Sequence, residues 1–198
     1  KGDYVYNFAV TTNLDYDEME LNTILNSIKA EELDSSKIGK LMRNDPEDTL
    51  NTAKVGDYQF SIPASWKLFS KASQGSSYTN VSYVNTYTTS GIIYASMTGS
   101  DFKQTNLSTV ANSYSKSITQ DDEHEMFKKV EYTSINGKRY AYFTYTTTSK
   151  ADNKSYGTVY MTCDNGTAHI FTLIQNEVFY GSAEIDDFID IVNSFQSK

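Results

Sequence analysis

The chain is 198 residues long, enough for one ordinary domain with an extension or for two small ones, and its 17 Lys and Arg against 25 Asp and Glu give a net charge of -8. That balance argues against nucleic acid as a partner, because phosphate-backbone affinity comes from Lys and Arg neutralising phosphates. No apolar run reaches the roughly 18 residues of a membrane-spanning helix, and the single cysteine, Cys163, excludes an internal disulfide framework and a multi-cysteine metal site.

Residues 1–29 open with Tyr4-Val5-Tyr6-Asn7-Phe8-Ala9-Val10, which reads as a strand. An acidic helix follows over Asp17–Ile28, closing on Ile24-Leu25-Asn26-Ser27-Ile28, and its Asp15, Asp17, Glu18 and Glu20 lack the glycine and terminal glutamate spacing of a calcium loop. Residues 30–54 are polar and charged apart from Ile38, Leu41 and Met42, which suit a short helix. We read them as a linker, broken at Pro46, with the main domain spanning 55–198.

Within that domain Tyr58, Phe60 and Ile62 alternate with Gln59 and Ser61, a half-buried strand ending at Pro63. Val81–Tyr87 and Ile92–Met97 form a hairpin around Thr88-Thr89-Ser90-Gly91, where Gly91 is expected to supply positive φ. Leu107, Val110, Ala111, Tyr114 and Ile118 fall on one helical face behind Thr105 or Asn106 as N-cap. Four strands follow in two hairpins, 127–135 with 138–147 and 156–163 with 167–175. Their Asn136-Gly137 and Asn165-Gly166 turns are the dipeptides that accept positive φ at both central positions. A closing helix places Ile185, Phe188, Ile189, Val192 and Phe195 inward, with Glu184, Asp186, Asp187 and Asp190 in its first turns. Three strands, a helix, four strands and a helix predict an α+β fold, an antiparallel sheet covered by helices.

The ending of the chain echoes its beginning. A strand at Thr167–Leu173, an acidic helix and the finish Ile191-Val192-Asn193-Ser194-Phe195 match the order found in residues 1–29. A recurrence at long period marks a duplicated unit, so residues 1–29 read as the tail of a preceding repeat. Their apolar helix face and strand edge are expected to pack on the main domain or on a second chain, giving a homodimer through residues 1–29.

The stretch Gly56-Asp57-Tyr58-Gln59-Phe60-Ser61-Ile62-Pro63-Ala64-Ser65-Trp66, the hairpin Ile135-Asn136-Gly137-Lys138-Arg139-Tyr140 and the helix Ile185–Phe195 with its Asn-Ser-Phe end together resemble the PsbP-like family. That family also includes bacterial lipoproteins of unassigned function and a Ran-binding nuclear transport factor. The resemblance covers residues 55–198. It implies an α-β-α sandwich around a twisted antiparallel sheet and a binding or accessory role without chemistry of its own. No calcium or chloride retention signature and no Ran-binding surface matches residue by residue, so no functional residue is carried over.

Candidate chemistry is sparse. Cys163 and His169 invite a nucleophile and base. With Asn165-Gly166 as a two-residue loop, however, Thr162 faces His169 and Cys163 faces Ala168, so the pair points to opposite sheet faces. Asp121-Asp122-Glu123-His124-Glu125 gathers metal-capable groups, but consecutive loop residues rarely converge on one ion. No metal or cofactor is expected. Tyr140 and Tyr142 share one strand face, Phe143 and Tyr145 the other. An open face of Tyr, Thr and Asn would suit a glycan or a peptide, because aromatic rings bury area while their hydroxyls bond. Trp66, Tyr140, Tyr142 and Tyr145 are therefore the candidate ligand or interface residues, with core packing as the plainer role, and Trp66 a plug at one end of the core. The expected protein is the mature region of a bacterial surface lipoprotein, anchored by a lipid upstream of Lys1. It is expected to be extracellular and to act by binding a protein or glycan, or else as a scaffold of tandem repeats, and not as an enzyme.

Overall fold

The structure, a computed structural model, describes residues 49–74, 77–86, 88–120, 123–149, 153–181 and 184–197. The repeat tail expected at 1–29, and with it the homodimer contact, lies outside the described residues, as do the expected short helix and Pro46 break of the linker.

The described chain runs β1 (Leu50–Val55), β2 (Tyr58–Pro63), β3 (Trp66–Gln74), β4 (Tyr78–Asn85), β5 (Gly91–Thr98), α1 (Leu107–Ile118), β6 (His124–Ile135), β7 (Lys138–Thr148), β8 (Lys154–Asp164), β9 (Thr167–Asn176), α2 (Glu184–Asn193) and a short β10 (Gln196–Ser197). Seven strands form one antiparallel sheet in the order β3-β4-β5-β9-β8-β7-β6, and β1-β2-β10 form a second. Asn136 (φ 50°) and Gly137 (φ 74°) turn β6 into β7, and Asn165 (φ 48°) and Gly166 (φ 81°) turn β8 into β9, as their sequences dictate.

Two apolar clusters lie on the two faces of the large sheet. On one, α1 sets Leu107 and Ala111 against Ala141, Phe143, Val159, Met161, Cys163, Ala168 and Ile170. On the other, the small sheet and α2 set Phe60, Ile62, Phe188, Ile191 and Val192 against Trp66, Tyr94, Tyr140, Phe171 and Leu173 of the large sheet. The second face is thus closed by a helix and a three-stranded sheet together. The α-β-α picture needs that correction: the fold is sheet-dominated, with two described helices. The physical reason is the length of the apolar pattern at Tyr58–Pro63, which pairs with Leu50–Val55 and forms a layer of its own.

Three further differences have local causes. β1 starts at Leu50, inside the segment read as linker, and its Ala53 and Val55 enter the core while Asn51, Thr52 and Lys54 stay exposed. β3 was not legible, since it is an edge strand with exposed Lys67, Ser70 and Lys71 and a bulge between Leu68 and Ser70. In the β4-β5 turn the positive φ falls on Thr89 (60°), not on Gly91. A non-glycine residue there costs about 1 kcal/mol, and the turn is held by Glu184 at the start of α2. Its carboxylate accepts the Ser90 hydroxyl at 2.7 Å, the Gln175 amide at 2.9 Å and the Thr88 hydroxyl.

The Asn-Ser-Phe finish of α2 is a fastening. Ser194 Oγ donates to the Ile191 carbonyl at 2.7 Å and accepts the Ser61 amide at 2.8 Å. The Asn193 carbonyl accepts from Asn136 at 2.6 Å, and Phe195 stacks on Tyr58 with ring centroids 5.4 Å apart. The last helical turn is thereby tied to β2 and to the β6-β7 hairpin.

Candidate functional site

The β8-β9 register pairs Thr162 with His169 and Cys163 with Ala168, so Cys163 and His169 occupy opposite faces and cannot act as one dyad. Cys163 is buried in the cluster under α1, and burial pushes its thiol up to about 11. His169 is buried on the other face between Tyr58 (4.4 Å) and Phe195 (4.9 Å), with Nδ1 3.0 Å from the Tyr94 hydroxyl. Burial, helped by Lys138, lowers its pKa to about 4, so the ring is neutral at physiological pH.

The four aromatic candidates do not meet. Trp66 (2% exposed) and Tyr140 (2%) are core residues on the α2 face, where burial raises the Tyr140 phenol to about 12. Tyr142 is half-buried, stacks on Tyr160 at 5.4 Å and donates to Glu131. Tyr145, on the α1 face, borders the cleft beside α1.

Among the described residues α1 rests mainly on β6, β7 and β8, and the cleft lies beside it on the β4-β5-β9 part of the same face. Registers Asn80↔Ala95, Ser82↔Ile93, Ala95↔Ile170 and Ile93↔Thr172 align these residues on one side of the sheet. The result is a cleft of about 390 Å³ with Ile93, Ala95 and Ile170 as apolar floor and Tyr78, Asn80, Tyr114, His124, Tyr145 and Thr172 as polar and aromatic wall. Ser117 and Ile118 at the end of α1 complete the lining, the Ser117 hydroxyl donating back to the Tyr114 carbonyl at 2.8 Å.

The wall is built from the strands upward. Asn80 Nδ2 donates to the Tyr78 hydroxyl at 3.0 Å, and the His124 ring stands 5.7 Å from that of Tyr145. Burial raises the Tyr114 phenol to about 12, with the Tyr145 and Tyr78 phenols adding to the shift, so the three hydroxyls share one neighbourhood. Tyr145 lies across Gly157, its register partner on β8; a Cβ there would stand 2.2 Å from Tyr145 Cζ. Gly157 is therefore what lets the ring lie flat at the cleft edge.

Of the acidic loop, Asp121 and Asp122 lie outside the described residues, Glu123 and Glu125 are exposed, and His124 turns into the cleft. Among the described residues no three His, Cys, Asp or Glu side chains gather as a metal-ligand set, and no helix is long and apolar enough to cross a membrane. Tyr78, Asn80, Tyr114 and Thr172 were not singled out from sequence. Their signal, alternation on strands and a Tyr on the apolar face of a helix, is the same one that marks core.

A second aromatic group, Tyr156 stacked on Tyr180 at 3.9 Å with Phe127 edge-on at 5.1 and 5.6 Å, carries Lys128 and Lys154 over its rings.

Comparison with solved structures places this architecture. The solution structure of cyanobacterial PsbP from Synechocystis superposes with a TM-score of 0.58 at 18% identity, covering 76% of this chain and 94% of that one. A crystal structure from Bacteroides thetaiotaomicron gives 0.48 at 11% identity over 72% of this chain and 45% of that one. A protein of unknown function from Pseudomonas aeruginosa gives 0.40 at 12% identity over 65% and 84%. No family model and no curated protein sequence matches. The chain has a PsbP-like fold.

Proposed function

We propose that this chain is a non-catalytic binding or accessory domain that works outside the cytoplasm as part of a bacterial surface lipoprotein, and that its binding site is the cleft beside α1. The observation that carries the reading is the cleft beside α1: an apolar floor with convergent Tyr, Asn, His and Thr groups is the common make-up of a small-ligand site. A hydrolytic role finds less support, because the one obvious nucleophile and base pair, Cys163 and His169, is divided by the sheet.

The test is an NMR titration of the full chain with a panel of small polar compounds. Saturable shifts clustered at Tyr78, Asn80, Tyr114 and Tyr145 are expected. A panel that perturbs no cleft residue would overturn the reading.

A second reading, an assembly scaffold of tandem repeats, draws on the exposed Leu68 (60%) and Phe69 (77%) of edge strand β3. The bulge and the lysines at 67 and 71 oppose open-ended strand pairing there. Light scattering on the full chain decides it: a concentration-independent monomer removes the scaffold.

A further inference from the structure

Resting on that binding reading, we infer that the cleft takes an uncharged carbohydrate, one or two sugar rings of a neutral glycan. Three observations converge on this class. First, among the described residues the lining holds no Lys, Arg, Asp or Glu. An ionic ligand entering it would lose hydration with no carboxylate, ammonium or guanidinium in the lining to compensate, at a cost of several kcal/mol, and the net charge of -8 adds repulsion for anions.

Second, the cleft lies on the face of central strands. β4, β5 and β9 are each paired on both sides, so their amides and carbonyls are engaged in ladders. An extended peptide is read chiefly through main-chain bonds at a free sheet edge, and here only side chains are on offer.

Third, those side chains match a sugar's two-sided chemistry. The Tyr145, His124 and Tyr114 rings and the apolar floor offer surface for the C–H face of a pyranose. The Asn80 amide, the Tyr78 hydroxyl and the Thr172 hydroxyl supply donors and acceptors of both kinds for its ring of hydroxyls. A cleft of about 390 Å³ sits near the small end of ligand sites, room for about one or two rings.

The experiment titrates the full chain by isothermal calorimetry and by NMR with four probes: a neutral hexose tetramer series, chitotriose, a galacturonate trimer as the anionic counterpart, and tetra-alanine. At least one neutral saccharide is expected to bind, with shifts at Tyr78, Asn80 and Tyr145, and the galacturonate and the peptide are expected not to. Asn80→Ala and Tyr78→Phe should each weaken that saccharide about tenfold, the loss of one hydrogen bond. Tyr142→Phe, on the opposite face, should leave it unchanged. Cleft shifts produced by the peptide or the galacturonate but by no neutral saccharide would overturn the ligand class and leave the binding reading standing. No cleft shift with any probe would overturn both. Because the wild-type shifts alone decide, a misfolded variant does not blur the outcome.

Discussion

The two faces of the seven-stranded sheet are finished differently. The α2 face is filled with rings: Phe60 contacts Tyr94 and Phe171 at 5.5 Å each, and Phe195 closes on Tyr94 and Phe171 at 5.7 and 5.3 Å. A helix, a small sheet and a fastened helix end all press on it. Among the described residues the α1 face has a single helix, smaller side chains such as Ala141, Val159 and Ala168 beneath it, and a cleft beside it. The closed face stabilises the fold, and the open one leaves polar groups reachable. Both faces carry buried core, but only the α1 face borders the cleft proposed as a binding site, so a substitution's effect should depend on the face it lands on.

The sharpest way to break the comparison is Phe60→Ala. Phe60 is 1% exposed among three aromatic partners, and truncation should cost about 3–5 kcal/mol from lost transfer energy and cavity formation. A fall in melting temperature without change in ligand affinity is expected by calorimetry and titration. A shift under about 1 kcal/mol would mean the closed face is not the main core.

A second test uses pH. His169 has a folded pKa of about 4 against 6.5 when unfolded. Above pH 6.5 both states hold it neutral and its contribution to stability is fully present. As pH falls from 6.5 to about 4 the unfolded chain binds a proton that the folded chain refuses, and about 3 kcal/mol is lost; below about 4 the loss levels off. The unfolding free energies of wild type and His169→Gln from denaturant melts should diverge by about this total across that window. Parallel curves would show that His169 is not held neutral.

A third joins the faces. Gly157→Ala puts a Cβ into the Tyr145 ring, which must move or strain β8, costing about 1–3 kcal/mol. Unlike Phe60→Ala it should also alter cleft shifts, because Tyr145 is part of the wall.

The smallest expected effect on stability belongs to the open half. Asn80→Ala should change the unfolding free energy by less than about 0.5 kcal/mol, as for other solvent-facing positions. A larger cost would mean the Asn80 to Tyr78 bond is structural.

Periodicity and turn chemistry were enough to read β2, β5, both Asn-Gly hairpins, α1 and α2, because each carries its own signal: alternation, a dipeptide that accepts positive φ, or apolar residues at helical spacing. The opposite facing of Cys163 and His169 followed from a two-residue loop by counting. β1, most of which lies in the segment read as linker, and β3 were missed because these edge strands carry exposed polar residues. Of the four aromatic candidates, Tyr145 borders the cleft, while Trp66 and Tyr140 fill the core. A buried tyrosine and a cleft tyrosine look alike in a strand pattern.

The amino-acid sequence by itself determined most of the elements, the two Asn-Gly turns and the facing of the residues next to them, since these depend on neighbours in the chain. Only the tertiary structure decided which half of each face is roofed. That depends on where α1, α2 and the small sheet come to rest, set by the packing of Leu107 and Ala111 on β7 and β8 and of Phe188 and Ile191 on the opposite side. The cleft is the space those two placements leave over, and no local pattern encodes an absence of packing.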